Sequence, residues 1–294
     1  MVKILHATDV HTDLKKYEAI VNQANNSEVD AVIISGDLTD KDSEAYQVIC
    51  SQLVTSSLKK YGGEEAVRKI EQTGRIDLSA LLEDLGNDNS KKFIEETVKA
   101  FRAYQASEIK AIDEVLKACK KPIYAVTGNH DPIFTYKLME NVHFLDREGS
   151  AAIGGINFAG TPSTYEMVPG ILPVDYGHLG DYNVDGNVAD SPEYRRLSGE
   201  SIDVLVTHCG LLDRLKRDTM RGKKPDQIMY KTMKEKGVRL NLSGHFHEKL
   251  HWSHEGILQL NPGSDLFFEI DLKKGSKGTT AESVVIYEPV VKAA

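Results

Sequence analysis

The sequence has few cysteines and no long apolar run. Its three cysteines, Cys50, Cys119 and Cys209, are odd in number and widely spaced, so they predict neither a disulfide framework nor a zinc knuckle. No segment approaches the roughly 20 apolar residues of a membrane helix, and the strand-like residues directly after Met1 leave no space for a secretory signal peptide. These absences predict a cytoplasmic protein without a membrane partner.

Positive charge is also in deficit. Lysine and arginine number 36 against 44 aspartates and glutamates, which gives a formal net charge of -8. Such a molecule repels nucleic acid at long range, so nucleic acid is not an expected partner. The basic run from Arg214 to Lys224 is interpreted as a solvated surface, with guidance of an anionic substrate as the alternative.

The length of 294 residues fits a single domain, residues 1–294, with a helical insertion at residues 43–119. Residues 2–8 and 30–35 are apolar strands on either side of a helix at 14–24, which together predict a right-handed parallel unit. Asp13 is the expected N-cap of that helix.

The insertion contains one long amphipathic helix, predicted at residues 90–120. Its apolar residues recur at three- and four-residue steps. This stripe packs on the sheet or on the preceding helices in the first interpretation. In the alternative it forms a subunit interface, which would make the protein a homo-oligomer.

The remaining chain alternates short strands with loops. A strand is predicted at residues 122–126, and antiparallel hairpins at 142–159. A long loop follows at 160–192. The last predicted elements are buried strands at 202–207 and 238–243, followed by antiparallel strands covering a second sheet up to residue 288.

Polar clusters follow the apolar strands at five places. They supply seven oxygen or imidazole donors, namely Asp9, His11, Asp37, Asn129, His208, His245 and His247. Because the carboxyl ends of parallel strands meet at one sheet edge, several of these side chains should lie together. Oxygen mixed with imidazole suits Mn, Fe, Zn, Ni or Co better than calcium. Seven donors exceed the needs of one tetrahedral ion and fit two ions that share a carboxylate.

The order of these clusters resembles the calcineurin-like metallophosphoesterase superfamily over residues 2–42 and about 120–270. The matching motifs are Asp9-x-His11, Gly36-Asp37-x-x-Asp40, Gly128-Asn129-His130-Asp131, His208 and Gly244-His245-Phe246-His247. The resemblance implies an α/β fold, a four-layer α/β/β/α sandwich.

The resemblance also implies two divalent metal ions, each Mn, Fe, Zn or Ni. One ion would be held by Asp9, His11, Asp37 and His247, and the other by Asp37, Asn129, His208 and His245, so that Asp37 bridges them. His130 would be the catalytic acid, with its ring held by Asp131 or by a backbone carbonyl. We expect this ring to face the leaving group rather than a metal ion.

Two residues beside the motifs have open roles. Asp40 is either a helix N-cap or a group that supports the site. His6 is interpreted as an ordinary buried histidine, although its position before Asp9 would allow contact with a site residue.

Three functions remain from the sequence. The leading one is hydrolysis of a small phosphodiester by a hydroxide that bridges two metal ions. The alternatives are a phosphomonoesterase, including a phosphoprotein phosphatase, and a non-catalytic scaffold on the same fold. The complete donor set and His130 favour an enzyme. Residues 43–90 leave the sheet near Asp37 and are expected to shape substrate entry.

Overall fold

The structure is a computed structural model of the chain. It describes residues 1–40, 44–61, 63–65, 67–68, 78–161, 165–168, 172–175, 192–210 and 227–288. In these ranges no helix is both long enough and apolar enough to cross a membrane.

The strands form two six-stranded sheets and one separate pair. The first sheet contains, in spatial order, β14 (Gly278–Tyr287), β13 (Phe267–Gly275), β1 (Val2–Ala7), β2 (Ala31–Ser35), β3 (Ile123–Val126) and β4 (Val142–Phe144). The second contains β11 (Leu250–His254), β12 (Ile257–Asn261), β10 (Leu240–Gly244), β9 (Val204–Cys209), β6 (Ile156–Thr161) and β5 (Ala151–Ile153). The separate pair is β7 (Tyr165–Val168) with β8 (Leu172–Asp175).

Each large sheet has a parallel centre. Strands β1 to β4 are parallel neighbours in the first sheet, and β6, β9, β10 and β12 are parallel neighbours in the second. The carboxyl ends of the strands in each centre therefore share one edge.

The described helices lie outside these sheets or in the insertion. They are α1 (Leu14–Asn26), α2 (Glu44–Lys60), α3 (Leu78–Leu116), α4 (Pro192–Gly199), α5 (Gln227–Lys236) and a 3-10 turn at Thr135–Lys137. The predicted N-cap of α1 is confirmed, because the Asp13 carboxylate accepts hydrogen bonds from the amides of Lys15 and Lys16 at 3.0 and 3.2 Å.

Three apolar clusters define four layers. The first lies between the first sheet and the helices α1 and α3, and it includes Tyr17 and Ile112. The second fills the space between the two sheets, with Ile33 and Leu242 among its members. In the third, Met233 belongs to a cluster that joins α4 and α5 to the outer face of the second sheet. The predicted α/β/β/α sandwich is confirmed.

The long helix of the insertion packs within the chain. Its middle turns contribute Phe93 and Phe101 to a cluster with Val54 and Leu58 of α2, and its last turns pack on the first sheet. The helix begins at Leu78 rather than at Ser90, because a single helix-interior glycine, Gly86, weakens a helix without ending it. Both parts of the apolar stripe thus pack against other elements of the same chain.

Three strand predictions need correction. Strand β4 joins the first sheet in parallel, and only β5 and β6 form the expected hairpin. The predicted loop at 160–192 contains the pair β7 and β8. Strands β13 and β14 belong to the first sheet, because β13 pairs with β1. Alternation within a strand shows which residues share a face but not which sheet the strand joins.

Candidate metal centre

All seven predicted donors lie at one edge of the sandwich. They follow or end five parallel strands, with Asp9 and His11 after β1, Asp37 after β2, Asn129 after β3, His208 within β9, and His245 and His247 after β10. Both sheets contribute, so the site lies across the two middle layers of the sandwich.

The backbone at this edge is unusual. Four of the donors, Asp9, His11, Asp37 and His245, have φ angles between 51° and 71°, in the left-handed region that L-residues seldom adopt. Each such residue costs on the order of 1–3 kcal/mol and persists where the surrounding structure imposes it. Clustered strain of this kind is typical of functional sites.

Glycine at position 128 allows two of the loops to approach closely. A Cβ atom there would lie 2.1 Å from the amide nitrogen of Asp37 and 2.2 Å from its Oδ1 atom. The close approach lets the backbone amide of His130 donate a hydrogen bond to Asp37 Oδ1 at 2.8 Å. The Gly128 turn and the Asp37 carboxylate therefore fix each other.

One group of donors is formed by Asp9, His11 and His247. The Nε2 atoms of the two histidines are 3.1 Å apart, and they lie 3.9 and 3.7 Å from Asp9 Oδ1. Two unprotonated ring nitrogens cannot bond to each other, so either a proton or a cation must lie between them. The three side chains have the spacing needed to hold one ion.

The second group is formed by Asp37, Asn129, His208 and His245. His208 Nδ1 donates to the carbonyl oxygen of Ser35 at 2.8 Å, which leaves the Nε2 lone pair of the neutral ring free to bind a cation. This Nε2 atom lies 2.8 Å from Asn129 Oδ1 and 3.2 Å from Asp37 Oδ2. His245 Nδ1 is 3.0 Å from the same Asn129 oxygen.

Asp37 is a member of the second group and also lies beside the first. Its Oδ2 atom lies 3.2 Å from His208 Nε2 and 3.9 Å from His11 Nε2. The side chain is 2% exposed, so its charge must be balanced inside the protein. A single carboxylate oxygen thus faces the donors of both groups.

The protonation of the site shows how this charge is balanced without a cation. Burial alone would lower the pKa of His208, but the carboxylates of Asp37 and Asp9 raise it well above its ordinary value. For Asp37, burial is outweighed by the nearby His208, His130 and His11 rings, which lower its pKa. A proton on His208 therefore compensates the carboxylate, and a cation bound to the same atoms would displace that proton. The donor set fits divalent cations.

His130 lies beside the donors and faces Asp40. Its Nδ1 atom is 3.3 Å from Asp40 Oδ1, and its Nε2 atom is 4.0 Å from Asp37 Oδ2. The ring packs edge-on against His11, with the ring centroids 4.8 Å apart. Of the two roles considered for Asp40, the structure shows contact with this ring.

The expectation that Asp131 holds the His130 ring is wrong. Asp131 is fully buried, and its two oxygens accept hydrogen bonds from the amides of Thr39 and Gly128 at 2.8 and 2.6 Å. Burial, followed by the charge of Asp37, raises the pKa of Asp131 to about 7. Asp131 shapes the turn, and the carboxylate against the ring belongs to Asp40. The sequence had left Asp40 open between a helix N-cap and a group that supports the site.

His6 reaches the site through one intermediate residue. Its Nε2 atom is 2.6 Å from the hydroxyl oxygen of Ser35, the residue whose carbonyl binds His208. Burial lowers the pKa of His6 to about 3, so the ring is neutral. The basic run from Arg214 to Lys224, interpreted as a solvated surface with guidance of an anionic substrate as the alternative, lies outside the described residues.

The chain matches a known protein family and is similar to several solved structures. A family model described as calcineurin-like phosphoesterase matches residues 2–249. A solved crystal structure with 12% identity has a TM-score of 0.55 and covers 98% of both chains. The protein TT1561 of Thermus thermophilus has 14% identity and a TM-score of 0.49, covering 92% of this chain and 94% of that one. The calcineurin-like phosphoesterase YfkN from Bacillus subtilis has 13% identity and a TM-score of 0.43, covering 100% and 92%.

At 12% identity the first structure shows a shared fold and nothing about function. The TM-scores of the other two are below 0.5, so nothing is inferred from them. No curated protein matches the chain significantly.

Proposed function

The chain belongs to the calcineurin-like phosphoesterase family, and from this premise we propose that it is a cytoplasmic, metal-dependent hydrolase of small phosphodiesters. The observation that carries the proposal is the position of Asp37, whose Oδ2 atom faces His208 at 3.2 Å and His11 at 3.9 Å. One carboxylate between two sets of donors is the arrangement that two neighbouring cations require.

We assign the donors to two cation sites. One site consists of Asp9, His11, Asp37 and His247, and the other of Asp37, Asn129, His208 and His245. The mixture of carboxylate, amide and imidazole suits Mn, Fe, Zn or Ni. When bound, two such ions would supply a nucleophile at neutral pH and neutralise charge on the phosphoryl oxygens.

The protein itself orients the donors and the proposed general acid. The contact with Ser35 fixes the His208 tautomer, and the contact with Asp37 fixes the backbone of His130. With Nδ1 of His130 directed at Asp40, its Nε2 atom is the one that can give a proton to the departing oxygen. Asp131 supports this arrangement by holding the turn.

Charge favours a diester over a monoester. In the part of the chain that the structure describes, the charged partners of Asp9 and Asp37 are all histidines, without a lysine or arginine. Two carboxylates and two divalent ions leave two net positive charges. A diester carries one negative charge and a hydroxide nucleophile carries another, so together they neutralise the two positive charges. A monoester dianion together with hydroxide would carry more negative charge than the site neutralises. The alternative function is hydrolysis of phosphomonoesters, including phosphoproteins.

The protein's partner is then a small phosphorylated molecule. A second proposed partner is another copy of the chain, bound through α3 to form a homo-oligomer. It would have to use the surface of the helix that faces away from Phe93 and Phe101, because these two side chains pack against α2.

The test compares two chromogenic esters with Mn²⁺ supplied. We expect faster hydrolysis of bis(p-nitrophenyl) phosphate than of p-nitrophenyl phosphate, and no hydrolysis of either by an Asp37→Asn variant. Faster hydrolysis of the monoester would establish the alternative function. Protein that binds Mn²⁺ but hydrolyses neither these esters nor a nucleotide panel would be a scaffold, which would refute the proposal.

A further inference from the structure

The carbonyl group of Ser35 is a junction between the two groups of donors. Its oxygen accepts a hydrogen bond from His208 Nδ1 at 2.8 Å and lies 3.1 Å from the hydroxyl oxygen of Thr8. His208 belongs to the group that contains Asn129. Thr8 leads to the other group, because it directly precedes Asp9.

The Thr8 hydroxyl lies between this carbonyl and the carboxylate of Asp9. Its oxygen is 2.8 Å from Asp9 Oδ2, and the side chain is 2% exposed. A hydroxyl has one proton and the two neighbouring oxygens are both acceptors, so the shorter, charged contact to Asp9 is the stronger one. The other restraint on Asp9 is the amide of His245, 3.1 Å from Oδ1 and 2.9 Å from Oδ2.

These two donors fix the direction of the Asp9 carboxylate. With Oδ2 held by Thr8, Oδ1 is the atom that faces His11 and His247 at 3.9 and 3.7 Å. Rotation of the carboxylate would break the contact with Thr8 and move Oδ1 away from the two rings.

The absence of a side chain at Gly244 leaves room for the Thr8 hydroxyl. A Cβ atom at Gly244 would lie 1.8 Å from the Thr8 hydroxyl oxygen and 2.9 Å from the Ser35 carbonyl oxygen. Glycine at this strand end therefore lets the second sheet approach the Thr8 hydroxyl. On the other side, His6 holds the Ser35 side chain at 2.6 Å.

We propose that Thr8 is a positioning residue of the metal centre, whose hydroxyl holds the Asp9 carboxylate in the orientation that binds a cation with His11 and His247. This inference rests on the proposed function, because it assumes that the two groups bind cations. Groups that orient a ligand from behind typically change metal affinity by about 10- to 100-fold when they are removed.

The experiment removes only the hydroxyl. In a Thr8→Val variant, Asp9 keeps the amide of His245 and Ser35 keeps His208, so no buried acceptor loses all its partners and the fold should persist. Mn²⁺ binding measured by calorimetry should show one of the two sites weakened by about 10- to 100-fold, with the other site unchanged. A Thr8→Ser variant keeps the hydroxyl and should restore the affinity.

The matched control is Thr279→Val in β14. Thr279 is also fully buried, and its hydroxyl has no hydrogen-bond partner among the described residues. This variant should bind Mn²⁺ as the unaltered protein does. The absorption spectrum of the Co²⁺-loaded protein gives a second readout, since a displaced Asp9 ligand should change it in Thr8→Val but not in the control.

The outcomes separate the two levels of inference. If the unaltered protein binds no Mn²⁺ or Co²⁺, the proposed function fails. If it binds two ions and Thr8→Val binds them with the same affinities and the same Co²⁺ spectrum, the role of Thr8 is refuted while the proposed function stands. Weakening that Thr8→Ser does not restore would assign Thr8 to packing and also refute the inference.

Discussion

Replacement of Asp37 by asparagine tests the centre of the proposed site. The amide has nearly the shape of the carboxylate, and its oxygen can still accept the hydrogen bond from the His130 amide, now 2.8 Å from Asp37 Oδ1. The change removes one negative charge from the position shared by both groups and puts an NH₂ group where Oδ2 faces His208 and His11. Geometry is thus preserved while the bridge is lost.

The size of the effect follows from the distances. Asp37 Oδ2 lies 3.2 to 4.0 Å from ring nitrogens of His208, His11 and His130, so a cation among them would be no farther than about 4 Å from the lost charge. Two unit charges at this distance interact by about 4 kcal/mol at an effective dielectric constant of about 20. Each cation should therefore bind at least about 10³-fold more weakly.

The assay is equilibrium dialysis against Mn²⁺ followed by elemental analysis. The unaltered chain should approach two ions, and Asp37→Asn should hold fewer than one at the same free Mn²⁺ concentration. Asp113→Asn is the matched control, because Asp113 is 8% exposed and its carboxylate accepts hydrogen bonds from Asn141, which precedes β4 at the sheet edge opposite the donors. Two ions retained by Asp37→Asn, or a limit of one ion in the unaltered chain, would refute the bridging role.

Three further substitutions separate the roles around Asp37. Asn129→Ala should chiefly weaken one of the two Mn²⁺ sites, since within the described ranges its oxygen contacts His208 and His245; equal weakening of both sites in the same dialysis would contradict this. His130→Ala should keep both ions but slow hydrolysis of esters with high-pKa leaving groups by about 10²- to 10⁴-fold, and an activated aryl ester should lose much less; loss of an ion would make His130 a ligand. Asp40→Asn should slow the same poor substrates less than His130→Ala does, and the double variant should be no slower than His130→Ala alone because both act through one ring. Additive losses in steady-state kinetics would show that Asp40 has a separate role.

The sequence alone predicted which side chains meet at the site. Asp9, His11, Asp37, Asn129, His208, His245 and His247 could be named in advance because each follows or ends an apolar strand. Parallel strands of one sheet carry their ends to one edge, so local patterns were sufficient to group the donors of each sheet, while the packing of the two sheets brings both sets together. The sandwich was implied by the resemblance of the motif order to a known family, and the alternation of strands and helices was consistent with it.

Contacts between distant segments were decided only by the tertiary structure. Asp131 directly follows His130, yet the ring faces Asp40, because the direction of a side chain depends on the backbone angles of its turn and on the loop packed against it. Strand β13 pairs with β1 at the opposite end of the chain, and no local pattern encodes that choice. The link from Thr8 to His208 runs through the carbonyl of Ser35, a backbone group that every residue carries. Its role arises only from the three-dimensional meeting of β1, β2 and β9.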